Sequence, residues 1–428
     1  MFLFEINKFK VPKIMGKRRV VITGLGVIAS NGVGTEAFWR ANKDGISGTD
    51  TVTRFDTGDA DSTVASEVKD FDPSKFMPAD VAKRVDRFVH FGLACTHMAV
   101  ADSKLDLTKE DKYRVGSIIG SGLGGLLFHE EQMMIAYERD TLRLTPICVP
   151  RITPNAVSSH IAIQYGVLGP NMVISTACAS GAHGVGEAFR QIRWGEMDVC
   201  ISGGVEAPLT RFTFGAYSAL RVVSRRNDAP KEASRPFDLN RDGFVLGEGA
   251  AVLILEELEH ALKRNAPIYA EIIGYASNSG GYHIVMPEPE GADACRVMLD
   301  AIKDAGIHTS DIDYINAHAT STGANDRCET KAIKAVFDKR AYDIPVSSTK
   351  SMIGHTIGAA GAIEAAVCAL AIRDQFVPPT INYKDKDPAC DLDYVPGVGR
   401  KAKLNTVLSN SFGFGNCNVC LIFSKFKE

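Results

Sequence analysis

Twice along the chain, short strand-like apolar runs alternate with stretches of helical period, and this alternation limits the fold more than any other feature. Val20–Ile28 precedes an amphipathic stretch from Thr35, Val115–Ile119 ends in a glycine-rich turn, and Val173–Ser175 runs into a helical pattern over Cys178–Trp194. A second series follows: a strand from Ala270 through Tyr275, a helix over Ala294–Ala305, a strand at Ile312–Asn316, a helix over Asp326–Phe337 and a strand at Val346–Ser348. Strands interleaved with helices build α/β layers. Glu257–Asn265 reads as a charged surface helix ending before Pro267, which places a seam between halves at 17–265 and 266–428. The halves share a rhythm but no repeat strong enough to prove duplication. Without a low-complexity linker between them, they are expected to pack as one body.

The length of 428 residues, with 45% hydrophobic and 23% charged, allows a large core or two fused ones. A net charge of −3 supplies no global basic field for nucleic acid. No run of about 18 apolar residues is present to cross a membrane. Residues 1–16 hold Lys8, Lys10 and Lys13 but neither a sustained apolar stretch nor a small-residue cleavage site, so they do not read as a secretory signal. They are expected to be a dispensable extension. Ten scattered cysteines without metal-ligand spacing suit reduced thiols in a cytoplasmic protein.

Three segments carry chemistry. At Thr176–Gly181 an apolar strand meets a small-residue turn and then a helical pattern. A thiol there, Cys178, faces unpaired N–H groups and the positive end of a helix dipole, which favour thiolate and nucleophilic attack on an acyl carbonyl. The same residue also reads as a small buried group before a helix. His318 follows the strand at 312–316, in the run Asn316–Thr322. Lys350 and His355 follow the strand at 346–348. One histidine after a strand is most often a hydrogen-bonded core residue, but two with a lysine tilt the reading toward catalysis. A lysine among small residues needs a carboxylate partner, and Glu364, in the second turn of the apolar Gly358–Ile372 helix, is the natural one.

Four motifs in order, TACASG with Cys178, NAHATST with His318, SSTKSMIGHTIGAAGAIE with Lys350, His355 and Glu364, and SNSFGFG at Ser409–Gly415, resemble the β-ketoacyl-[acyl-carrier-protein] synthases. The resemblance runs from Arg18 to Phe423 and is nearest to the type II elongating enzymes. It implies a thiolase-like five-layer α-β-α-β-α fold and decarboxylative condensation of an acyl chain on Cys178 with a malonyl unit on an acyl carrier protein. By the same resemblance, the N–H groups of Cys178 and Phe414 form an oxyanion hole. His318 and His355 stabilise an enolate, Lys350 with Glu364 sets their electrostatics, and Thr320 and Thr322 bind the amides of the phosphopantetheine arm. It implies no metal or redox cofactor, and a homodimer or a heterodimer with a homologous chain-length-factor subunit. Phe414, between Gly413 and Gly415, resembles a gating phenylalanine; otherwise it is a core aromatic in a hairpin.

Departures from the family pattern are His318-Ala319-Thr320, where glycine is usual at the middle position, and Asn416 in place of a second glycine. Segments 325–330 and 387–396 look more like catalytic ketosynthase subunits of type II polyketide systems, so fatty-acid and polyketide pathways both remain. Two other classes stay open: a non-catalytic partner subunit, and a coenzyme A thiolase using a second cysteine such as Cys417 or Cys420. An acidic carrier calls for a basic docking surface, with Lys83, Arg84 and Arg87 in one helix-like stretch and Arg221, Arg225 and Arg226 in another; a solvated charged face is the alternative. Cys148 stands in Ile147–Pro150 where the family often has a bulky Phe-Phe-Val-Pro. With Leu123 it is expected to widen the acyl tunnel at a dimer interface, unless neighbouring side chains have repacked.

Overall fold

The computed structural model describes residues 17–427. The first half contributes β1 (Val20–Ala29), α1 (Arg87–Ser103), β2 (Val115–Gly120), α2 (Ala156–Tyr165), β3 (Asn171–Ile174), α3 (Ser180–Arg193), β4 (Val199–Glu206) and β5 (Gly249–Glu257). The second contributes β6 (Ala270–Ser279), α4 (Ala292–Ala305), β7 (Tyr314–Asn316), α5 (Gly323–Phe337), β8 (Val346–Ser347), α6 (Ala360–Asp374), β9 (Thr406–Gly413) and β10 (Cys417–Ser424). The amino-terminal extension expected to be dispensable lies outside the described residues. Among the described residues no helix is long and apolar enough to cross a membrane.

Strand order is β3-β2-β4-β5-β1 in the first half and β8-β7-β9-β10-β6 in the second, the same order by position in each series. In both, the first three strands of that order are parallel and the last two run antiparallel. The two sets join where β1 pairs antiparallel with β6, through Val20 with Ile272, Val21 with Glu271 and Ile22 with Ala270. This likeness exists in topology and leaves little trace in residue identity.

Helices α3 and α6 lie between the two sets of strands and touch both, so their side chains form one continuous core with the inner strand faces. The composition of α6 follows from this position. Every residue from Ala360 to Ile372 is buried, and a helix enclosed on all sides is apolar all round. Helices α1 and α2 cover the outer face of the first set, α4 and α5 that of the second, each over its own apolar cluster. These are the five layers that the motifs imply.

Two contacts clamp α3 onto the second half. Arg193 makes a two-pronged ion pair with Asp304 of α4, at 2.9 and 2.8 Å. Upstream, Tyr275 of β6 lies flat against Gly186, and its hydroxyl donates to Glu187 at 2.9 Å. A Cβ at position 186 would stand 2.3 to 2.6 Å from three ring carbons. Alanine in place of a mid-helix glycine ordinarily stabilises by about 1 kcal/mol. Gly186→Ala is nonetheless expected to destabilise this protein by about 1–3 kcal/mol, the usual cost of an over-packed core, read as a lower urea midpoint. An unchanged or higher midpoint would show that Tyr275 does not hold the helix in this way.

Candidate active site

The Cys178 position is built by a tight turn between β3 and α3. Ala177 takes φ +50°, Thr176 N–H donates to Ser180 Oγ at 2.9 Å, and that hydroxyl donates to the Ala177 carbonyl at 2.6 Å. The left-handed residue stops the helical pattern from starting at Cys178, as the sequence suggested; α3 begins at Ser180. Cys178 therefore sits on the turn, 6% exposed. The turn of the β9–β10 hairpin presses on it: a Cβ at Gly413 would lie 2.6 Å from the Thr176 carbonyl oxygen and 3.3 Å from Cys178 N. Only glycine lets the hairpin come this close. Phe414 follows, half-buried in the hairpin turn, with its N–H directed at the sulfur along with that of Cys178 itself.

His318 comes off the end of β7 and Lys350 with His355 off the end of β8. Glu329 of α5 accepts from the N–H groups of His318 and Ala319 at 2.9 and 2.8 Å, which fixes the first imidazole. The backbone of His355 pairs with Val245 O and Gly247 N at 2.7 and 2.9 Å. The two rings meet edge to face, with centroids 5.4 Å apart. Lys350 is buried, forms an ion pair with Glu364 and lies 3.5 Å from His318 Nδ1. A lysine donates and cannot accept, so His318 carries its proton on Nε2.

Burial, and after it the positive Lys350, push both histidines well below the ordinary range. They are neutral donors at physiological pH. Burial raises Glu364 to about 7 against the pull of Lys350. The Cys178 thiol is pushed up to about 12, with burial outweighing Lys350 and the Phe414 N–H. This corrects the expectation of a resting thiolate: the turn does place N–H groups at the sulfur, but removing it from water costs more than they return.

One cavity of about 130 Å³ joins Cys178, His318, His355, Thr320, Thr322 and Phe414. The two threonine hydroxyls lie 3.0 Å apart on its wall, and Thr322 also caps α5. Lys350 and Glu364 stand behind the imidazoles rather than in the cavity. Cys417 and Cys420 do not line it, so neither serves as a second cavity thiol; Cys328 lines it instead. Both non-glycine departures keep left-handed backbone, Ala319 at φ +20° and Asn416 at φ +56°. Asn416 gains bonds to the carbonyls of His283 and Met286.

Other expected residues fall elsewhere. Leu123 and Cys148 do not line this cavity. The Leu123 N–H is drawn to Glu206 at 3.1 Å, and Cys148 opens a short helix, Cys148–Ile152, at the surface. Lys83 and Arg84 are exposed at the end of the helix Ala79–Arg84. Arg87 belongs to the next helix, where it grips buried Glu248 at 2.9 and 2.7 Å and is not free to dock anything. Arg225 pairs with Asp61 at 2.7 Å and Arg226 with Glu232 at 3.4 Å. Arg221 is exposed and lines, with Arg211, a separate polar cleft of about 430 Å³. Among the described residues no cluster of three or more His, Cys, Asp or Glu is placed to hold a metal ion.

Comparison with known families agrees with this geometry along the chain. The Beta-ketoacyl synthase, N-terminal domain, family matches residues 17–261, and the Beta-ketoacyl synthase, C-terminal domain, family matches residues 269–384. The chain belongs to the β-ketoacyl synthase family. A relative from Synechocystis sp., named 3-oxoacyl-[acyl-carrier-protein] synthase 2, is 46% identical over 411 residues, covering 96% of this synthase and 99% of the relative. A solved ketosynthase of a type II polyketide system, in complex with its acyl-carrier protein, is 36% identical with a TM-score of 0.87, covering 96% of this chain and all of that one. The ishigamide ketosynthase/chain length factor structure is 34% identical with a TM-score of 0.89, at the same coverage.

Sequence reading missed Glu329, which holds the His318 backbone, and Asn410, which donates to it at 3.0 Å. Glu329 lies on the helix after the His318 motif, and only the fold shows it fully buried and turned back onto the His318 backbone. Glu364→Gln in the synthase leaves Lys350 buried without its partner and is expected to cost about 3–5 kcal/mol. The double variant Lys350→Met with Glu364→Leu removes both charges and is expected to recover most of that loss in a urea midpoint series. Equal losses in the single and double variants would contradict an ion pair here.

Proposed function

We propose that this chain is a 3-oxoacyl-[acyl-carrier-protein] synthase, an acyltransferase that lengthens a carrier-bound acyl chain by decarboxylative Claisen condensation. The observation that carries the reading is one cavity in which a thiol on a strand-to-helix turn faces two neutral imidazoles. Cys178 sulfur attacks the acyl thioester, and the oxyanion is held by the N–H groups of Cys178 and Phe414. The carrier thiolate leaves and takes up the proton that the buried Cys178 held at rest. Phe414, on the hairpin turn, gates this side of the cavity.

Malonyl-carrier protein then enters with its arm amides against Thr320 and Thr322. His318 and His355 donate to the thioester oxygen as the bond to the carboxylate breaks. Carbon dioxide departs, the electron pair forms an enolate, and its carbon attacks the acyl group on Cys178. Collapse expels the Cys178 sulfur as thiolate, which takes up a proton from solvent water. Each donor to the developing oxyanion is worth about 3 kcal/mol by analogy with measured oxyanion holes. Loss of carbon dioxide supplies the carbanion, so the reading calls for no metal or redox cofactor. Burial, reinforced by the charge of Lys350 that Glu364 holds in place, keeps both imidazoles neutral and able to donate.

An acyl carrier protein is the substrate-bearing partner, with Lys83, Arg84 and Arg221 the basic residues left free to meet it. A second copy, or a homologous chain-length-factor subunit, fits the uncovered edge of β3, beside exposed Val149 and Ile163. Leu123 and Cys148 are read as leaving a wider acyl end in that assembled pair. Ten free cysteines suit a cytoplasmic setting. The relatives named 3-oxoacyl-[acyl-carrier-protein] synthase 2 favour fatty-acid elongation. The likeness to polyketide ketosynthases favours a second reading, in which this is the catalytic member of a heterodimer.

Intact-mass analysis of enzyme and carrier tests the division of labour. Cys178→Ala is expected to abolish acyl transfer without loss of fold. His318→Ala and His355→Ala keep acylation of Cys178 while malonyl decarboxylation falls about 10²–10³-fold. Acyl label on another residue of Cys178→Ala, or equal loss of both half-reactions in the histidine variants, would overturn the assignment. Carrier-bound products of several condensations that form only with a homologous subunit would select the polyketide reading.

A further inference from the structure

The segment that carries Thr320 and Thr322 holds a conformation that ordinary residues avoid. Ala319 takes φ +20° and Ser321 φ +69°, and such backbone persists only where its surroundings over-determine it. Gly243 N–H donates to Ser321 O at 3.1 Å, Arg235 N–H to Ser321 Oγ at 3.0 Å, and Ser348 Oγ to Ala319 O at 2.9 Å. The far end of the segment caps α5, where Asp326 N–H donates to Thr322 O at 3.3 Å, and a buried guanidinium grips it from the other side. Arg241 Nε donates to Thr322 O at 3.1 Å and Nη2 to Gly323 O at 3.3 Å.

That guanidinium is 1% exposed and is itself oriented by two buried carboxylates. Its Nη1 reaches Asp387 at 2.9 Å and its Nε lies 3.4 Å from Asp326. The two segments that the synthase motifs leave unexplained, 325–330 and 387–396, thus meet at one residue. From the first come Asp326 and Arg327, the latter 3.1 Å from Asp387. From the second come Asp387 and Tyr394, whose hydroxyl is 2.8 Å from Thr330 Oγ1. Arg241 Nη1 also donates to Asp238 O at 2.6 Å, and a planar fork with donors in fixed directions can serve three carbonyls and two carboxylates together; a lysine cannot.

We propose that Arg241, aimed by Asp326 and Asp387, is a positioning residue for the carrier arm, fixing segment 320–323 so that both threonine hydroxyls face the arm's amides. The inference rests on the arm-binding role of Thr320 and Thr322 proposed above. Arg241 touches no reacting atom. Its contribution is uniform binding of the arm, which sets KM and leaves the chemical step alone.

Arg241→Ala would strand two buried carboxylates and threaten the fold, so the test uses Arg241→Lys and Asp387→Asn, both checked by thermal unfolding, with Thr320→Val as reference. Self-acylation of Cys178 is measured with an acyl-phosphopantetheine and with the same acyl group on ethanethiol, which has no amide. In Arg241→Lys the KM for acyl-phosphopantetheine is expected to rise about tenfold, equivalent to about 1.4 kcal/mol of lost binding. The kcat and the reaction with the ethanethiol ester stay as in the parent, and Asp387→Asn shifts KM in the same direction. If Thr320→Val raises KM and the folded Arg241→Lys does not, the inference fails alone. If neither raises it, the arm-binding reading fails with it. Equal loss with both esters would make Arg241 a scaffold residue only.

Discussion

A lysine and a glutamate paired out of contact with water, Lys350 with Glu364, are the interaction on which the site depends. Neither charge is tolerable alone at that depth, because an unpaired ion loses its hydration without compensation. Together they set a positive charge 3.5 Å from the His318 ring. Burial disfavours a charge on either imidazole, and the lysine's charge disfavours it further. The pair thus holds two histidines in the neutral form that can donate to an oxygen as it becomes negative. It works from behind the rings, leaving the cavity itself to the thiol, the imidazoles and the threonines.

The layered architecture brings these groups together from segments far apart in the chain. Cys178 follows the third strand of the first series, and Lys350 and His355 follow the third strand of the second. Each precedes one of the two helices enclosed between the sets of strands. The repeated strand order therefore places Cys178 and the Lys350–His355 segment at related positions of the two halves, each just before one of the enclosed helices α3 and α6. His318 and Phe414 join from the neighbouring β7 and from the β9–β10 hairpin. Exclusion of water by this enclosure strengthens every dipole aimed at the reacting atoms. The same exclusion is why Cys178 rests as a thiol.

Much of this was legible in the residues. Each strand-end motif is contiguous, so Cys178, His318, Lys350 and His355 stand out, and a buried lysine's need for a carboxylate leads to Glu364, the one charged residue in the apolar 358–372 stretch. What escaped was set by partners distant in sequence. Arg87 resembles a docking residue until Glu248, 161 positions away, is brought against it. Arg241 has no visible role until Thr322 and Asp387 close around it. The start of α3 was misplaced because one alanine, Ala177, takes a left-handed conformation that its identity does not advertise. Leu123 and Cys148 were referred to an interface that one chain does not form.

The ionisation of His318 and His355 is the most direct test of the account. In protein labelled with ¹⁵N at histidine, and assigned through single substitutions, the ring nitrogen shifts report protonation as the pH is lowered. An unperturbed imidazole is half protonated near pH 6.5. Both rings are predicted to stay neutral through the pH range in which an unperturbed imidazole takes up its proton, with the His318 proton on Nε2. A ring that titrates near pH 6.5 or above would show that burial and the lysine together do not hold it neutral, and would contradict the account.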